Sequence, residues 1–144
     1  MSINLNNGVP GNISGSAITA GFVGERVSSG AVGPTNFPTS TQLGDLASIT
    51  LTAGEWDIVG SVYFVINGAT CSAADMGVSS NAGNNGAGLS AGDNDLALGN
   101  TVNNSATVAG YRVTAAGTYY LKYRATYTGG PPQAYGRISA RRIA

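Results

Sequence analysis

Residues 46–66, LASITLTAGEWDIVGSVYFVI, decide how the chain folds. In the first seven, Ala47, Ile49 and Leu51 share one face of an extended chain and Ser48, Thr50 and Thr52 the other, the two-residue period of a half-buried strand. Ala53-Gly54 interrupts the run as a turn. Trp56, Ile58, Val62, Phe64 and Ile66 then keep the same period. Gly60 sits in register without a side chain, leaving room for a bulky neighbour or a bulge. The reverse face, Asp57, Val59, Ser61, Tyr63 and Val65, becomes apolar toward its end, so a strand covered on both sides is expected.

The C-terminal third repeats the pattern. In YRVTAAGTYYLKYRATY (111–127), Tyr119, Leu121, Tyr123, Ala125 and Tyr127 alternate with Thr118, Tyr120, Lys122, Arg124 and Thr126. Gly129-Gly130-Pro131-Pro132 stops the strand, and AYGRISARRI (134–143) resumes the alternation. LTAGEW (51–56) and VTAAGTYY (113–120) share one logic: an apolar strand end, a small-residue turn and an aromatic strand start. They read as related hairpins. Between Phe22 and Gln42, repeated Gly and Pro predict short edges and turns. Residues 67–110 predict short strands near 74–78, 95–98 and 101–108, with an exposed glycine-linked loop over 79–94. No stretch reads as a helix of ten residues or more. Two antiparallel sheets meeting face to face bury such strands, which predicts an all-β jelly-roll sandwich over 21–144. Residues 1–20, MSINLNNGVPGNISGSAITA, read as an extended N-terminal arm that orders against a partner or stays disordered.

Composition narrows the function. The 144 residues hold one modest core, and 22 glycines, about twice the usual share, remove side chains from it, so partner subunits are expected to supply burial. Seven basic residues offset seven acidic ones, which gives no long-range attraction for nucleic acid or an acidic membrane. No apolar run suits a membrane span or a secretory leader, so synthesis in the cytoplasm is expected. The absence of histidine excludes Ser-His-Asp and Cys-His catalysis and every His-metal site. Cys71, the single cysteine, excludes an intrachain disulfide and reads as a packed thiol.

The remaining constellations are sparse. Asp93 and Asp95 are weak candidates for oxygen ligation of Ca²⁺, and without the full loop spacing an Asx turn accounts for them better. Glu55 and Asp57 read as turn and strand-edge residues rather than an acid/base pair. No enzyme and no cofactor are expected. Val59, Tyr63 and Val65, with Tyr120 on the second strand, form outward apolar sets that need a loop or a partner. Tyr120 also suits a sugar platform. Arg137, Arg141 and Arg142 read as a basic cluster, with Lys122 and Arg124 near it, that is solvated, ion-paired or set against acidic loops of a neighbouring subunit.

SITLTAGEWDIVGSVYF (48–64), YRVTAAGTYYLKYRATY and the terminal GRISARRI (136–143) resemble small tailed-bacteriophage virion proteins with a jelly roll similar to the C1q and tumour-necrosis-factor folds. The resemblance covers mainly 45–66 and 110–142, less than half of the chain. It implies three subunits around an axis and a role as head decoration, head fibre or part of a tail fibre. Neither a collagen-like tract nor a heptad stalk is present, which favours a compact knob. The expectation is a capsid decoration protein on the virion surface. It would form a homotrimer and dock on the major capsid protein or another virion protein through its arm, with Asn4, Asn6, Asn7, Pro10 and Ile13 as contacts. The alternative is a fibre-tip module that binds a host-surface glycan through the 79–94 region, Asp93, Asp95 and Tyr120.

Overall fold

The structure, a computed structural model, describes residues 20–83, 94–96 and 104–144. Nine strands are found among them: β1 (Arg26–Ser28), β2 (Val32–Asn36), β3 (Gly44–Leu51), β4 (Trp56–Val65), β5 (Thr70–Ser79), β6 (Asn94–Leu96), β7 (Asn104–Val113), β8 (Gly117–Thr128) and β9 (Gln133–Arg142). No helix occurs among the described residues.

All pairings are antiparallel and they nest: β2 with β9, β3 with β8, β4 with β7, β5 with β6. The chain therefore runs out and back as one long ribbon. Rolling the ribbon adds the pairings of β4 with β9 and β5 with β8, which close two sheets: β1-β9-β4-β7, with β2 also on β9, and β3-β8-β5-β6. This is a jelly roll, as the alternation predicts.

The two glycine-aromatic turns take their meaning from that rolling. They are not hairpins: each joins a strand of one sheet to a strand of the other. Leu51 pairs with Gly117 in one sheet and Trp56 with Val113 in the other, so the turns lie side by side where both strands of the ribbon bend across the core. The anchors match as well. Trp56 Nε1 donates to the Thr52 carbonyl at 2.9 Å and the Tyr119 hydroxyl to the Ala115 carbonyl at 2.9 Å, each four residues back. An aromatic side chain directed inward with its polar tip bonded to its own turn fixes where the ribbon bends.

The predicted inward residues fill the space between the sheets. Trp56, Ile58, Val62 and Phe64 of β4 and Ile138 of β9 face Ile49 and Leu51 of β3, Met76 and Val78 of β5, and Tyr119, Leu121 and Tyr123 of β8. Each large apolar side chain so buried contributes about 1.5–3 kcal/mol. Phe37 closes one end against Phe64 and Tyr123, at ring distances of 5.5 and 4.7 Å. The space expected at Gly60 is occupied: a Cβ there would lie 2.6 Å from Leu121 Cδ1. The β4–β7 register also shifts between Ile58 and Gly60. Leu46 is a core residue that the alternation of 47, 49 and 51 leaves out, because a register shift between Asp45 and Ala47 turns an extra residue inward. Cys71 lies within β5, buried as expected of a packed thiol, and burial pushes its thiol pKa up, which suits packing and not nucleophilic chemistry.

Three expected strands shift: the 74–78 strand extends to Thr70–Ser79, the 95–98 strand falls at Asn94–Leu96, and the 101–108 strand runs Asn104–Val113. The arm over 1–20, including Asn4, Asn6, Asn7, Pro10 and Ile13, lies outside the described residues except for Ala20.

Candidate functional site

Outward side chains of the β1-β9-β4-β7 sheet form rows across the strands. One row sets Tyr63 of β4 opposite Tyr135 of β9, ring centroids 6.3 Å apart and tilted by 46°. Both rings and Val59 are open to solvent, at 44%, 39% and 41% exposure. Val65 lies on the same face of β4, half-buried. Two residues along β9 from Tyr135, Arg137 is opposite Ser61; Ser139 is next, opposite Val59 of β4 and Ser28 of β1. Arg141 closes the series between Arg26 of β1 and Asp57 of β4. The face therefore grades from aromatic at one end, through small hydroxyls, to cationic at the other. Two shallow hollows of about 460 and 400 Å³ mark its aromatic and cationic halves.

Val59, Tyr63, Val65, Arg137 and Arg141 of the predicted interface thus come together on one surface. Tyr120 does not join them. It lies on β8 in the other sheet, half-buried, with Lys122 Nζ 5.3 Å from its ring centroid, so a cation already occupies that ring.

Arg142 corrects the predicted basic cluster. In a strand, neighbouring residues point to opposite faces, so Arg141 and Arg142 cannot share one. Arg142 is only 6% exposed. Its Nε donates to Glu25 Oε2 at 3.1 Å, Nη1 to the Ala53 carbonyl at 2.8 Å and Nη2 to Thr52 Oγ1 at 2.6 Å. The guanidinium lies 4.6 Å from the Trp56 ring centroid. A Cβ at Gly54 would meet Arg142 Nη1 at 1.9 Å, and Gly54 has φ +144°, so the turn holds glycine for two reasons. Arg142 is a clasp that ties β9 to the 52–55 turn and to Glu25, not an interface residue.

Lys122 and Arg124 also leave that cluster, since both face outward from the opposite sheet. Lys122, 2% exposed, donates to Asp45 Oδ1 and to the Gly83 carbonyl at 2.9 Å, while the Gly83 N–H donates to Asp45 Oδ2 at 2.7 Å. Arg124 Nε donates to Asp75 Oδ2 at 2.8 Å. Glu55 and Asp57 both pair with Arg112, at 3.3 and 3.4 Å. Asp95 falls on β6 opposite Asp75; its side chain and all of Asp93 lie outside the described residues. Among the described residues no three acidic or cysteine side chains gather as a metal site.

Sequence reasoning missed Tyr135 and Arg26. Tyr135 was within reach, because it has the parity of Arg137 and Arg141 in AYGRISARRI. Arg26 was not, because only the pairing of β1 with β9 brings it to Arg141. The fold and this face together define a jelly-roll sandwich with an open, graded outer sheet. No protein-family model matches the chain, and no curated protein matches it in sequence.

Proposed function

We propose that the protein is a non-catalytic structural subunit of a tailed-phage virion: a capsid decoration protein that self-associates as a homotrimer and docks on the major capsid protein or another virion protein at the particle surface. The observation that carries this reading is the face with Val59, Tyr63 and Tyr135 exposed in adjoining rows. Among the described residues the two-layer sandwich has no third layer to cover them, and an aromatic set with a polar surround suits a protein partner. Support for the virion class and for three-fold association comes from the resemblance of residues 48–64, 111–127 and 136–143. Residues 1–20 are the proposed shell-attachment segment, and Phe22 and Val23, which follow it in the sequence, are exposed apolar side chains. A rigid sandwich that touches several capsomers at once adds binding free energy to the assembled lattice and not equally to separated shell proteins.

A second reading is favoured by the Tyr63–Tyr135 pair. Two exposed rings beside hydroxyl side chains can stack on a sugar, which suits a fibre-tip module that binds a host-surface glycan. Immunogold labelling of purified virions from the source, with antibody against this chain, separates the two. Label over the head surface is expected, label confined to fibre tips selects the second reading, and protein found only in the particle-free fraction overturns both.

A further inference from the structure

The cations of the chain are disposed in two ways. Of the seven in the chain, four are engaged by carboxylates: Arg112 by Glu55 and Asp57, Lys122 by Asp45, Arg124 by Asp75 and Arg142 by Glu25. The other three, Arg26, Arg137 and Arg141, have no ion pair among the described residues, and all three line the same hollow of about 400 Å³. Ser28 and Ser139 face each other across its strands, with Val59 beside them, and Asp57, which is ion-paired to Arg112, is the one carboxylate in the lining among the described residues.

This arrangement is unfavourable in the free chain. Arg26 and Arg141 are direct cross-strand partners, and like charges placed directly opposite destabilise a sheet. Asp57, across from Arg141 on the other side, is ion-paired to Arg112. An incoming anion would relieve the repulsion, and planar guanidinium forks beside hydroxyl donors match carboxylates in bidentate geometry, as they do phosphates.

We propose that this hollow binds an extended, acidic polypeptide segment of another virion protein. The proposal rests on the virion reading above and names the chemistry of the partner. A second copy is a poor source of the acid, because five of the chain's seven carboxylates are already held by its own cations. Packing this end of the face on itself would also set arginine against arginine. The face then divides its work: the tyrosine end joins copies, and the arginine end reads the shell. Arg137 and Arg141 are four residues apart on one strand, about 13 Å, so an extended segment with carboxylates at i and i+4 lies along β9 in register with both.

The test uses the full chain and a fluorescent alternating Glu-Ser octapeptide, with binding followed by anisotropy at low and physiological salt. The expected result is binding that weakens with salt and falls about tenfold in Arg137→Ser/Arg141→Ser, with a smaller loss in Arg26→Ser. Both variants should keep the wild-type β-sheet dichroism and oligomeric mass. Absence of binding at low salt, unchanged affinity in the double variant, or tighter binding of a polyphosphate of equal charge overturns the proposal. Native mass and virion labelling are read separately, so a failed peptide experiment leaves the self-association and virion readings to their own tests.

Discussion

On the outside of the β3-β8-β5-β6 sheet, three cross-strand pairs along β8 are matched among the described side chains: Asp45 with Lys122, Asp75 with Arg124, and Thr50 with Thr118, whose hydroxyls lie 3.0 Å apart. On the outside of the β1-β9-β4-β7 sheet, Asp57 and Arg112 are matched across β4 and β7, but along β9 the partners are Arg26 with Arg141 and Tyr63 with Tyr135. The same alternation thus gives β8 an outer row whose charges are paired within the chain and β9 an outer row whose arginines and tyrosine meet their like. Opposite charges held across a sheet stabilise the chain itself; like charges and exposed rings contribute little until something else is bound. The difference separates the pairs that hold the fold from the groups that the proposed docking would use.

Adjacent arginines give the sharpest way to break this comparison. Arg142→Ala leaves Glu25 buried without its cation and frees Thr52 and the Ala53 carbonyl, at a cost of about 3–5 kcal/mol in urea unfolding. Arg141→Ala, one residue away on the open face, is expected to change stability by less than about 0.5 kcal/mol. Equal costs would erase the distinction between the faces.

On the matched face, Lys122→Met removes a buried cation but leaves Asp45 partly solvated, so the expected loss is about 2 kcal/mol. It should be accompanied by faster amide exchange at Gly83, whose N–H and carbonyl are both held by that pair. Tyr119 and Tyr123 supply a smaller, pH-dependent effect. Burial raises both phenol pKa values above 10.0, helped by Tyr111 at the first and Asp45 at the second. The folded state therefore holds these protons more tightly than the unfolded state. Their contribution is fully present below about pH 10 and is lost as the pH rises through the folded values. Tyr123→Phe should flatten part of the alkaline decline seen by circular dichroism, at a modest cost from the lost bond to the Asn36 carbonyl.

Much of the fold was legible because a buried face writes its period into the chain. The inward sets of β4 and β8 are the residues that alternation selects, and Gly60 marks the place where Leu121 crosses. Leu46 was hidden because a bulge breaks the period that any alternation count assumes. The kinship of the 52–55 and 114–116 turns was visible, but not that they join different sheets: a short turn reads alike whether its strands pair or part. At the site, Val59, Tyr63 and Val65 share the outward face that the alternation predicts, since one strand carries them. Arg142 was misplaced by reading a run of charge where parity mattered, and Arg26 depended on a pairing of residues more than a hundred positions apart. Tyr120 looked free because Lys122, its neighbour on the same face of the strand, was not seen to lie over its ring.

Sedimentation velocity of the purified full chain, beside a Tyr63→Ser/Tyr135→Ser variant, tests most directly that the open face joins copies of the protein. The account predicts a wild-type trimer and a variant that sediments as a monomer with unchanged β-sheet dichroism and an unfolding midpoint no longer dependent on protein concentration. A wild-type monomer at all concentrations, or a variant that remains a trimer, would contradict it.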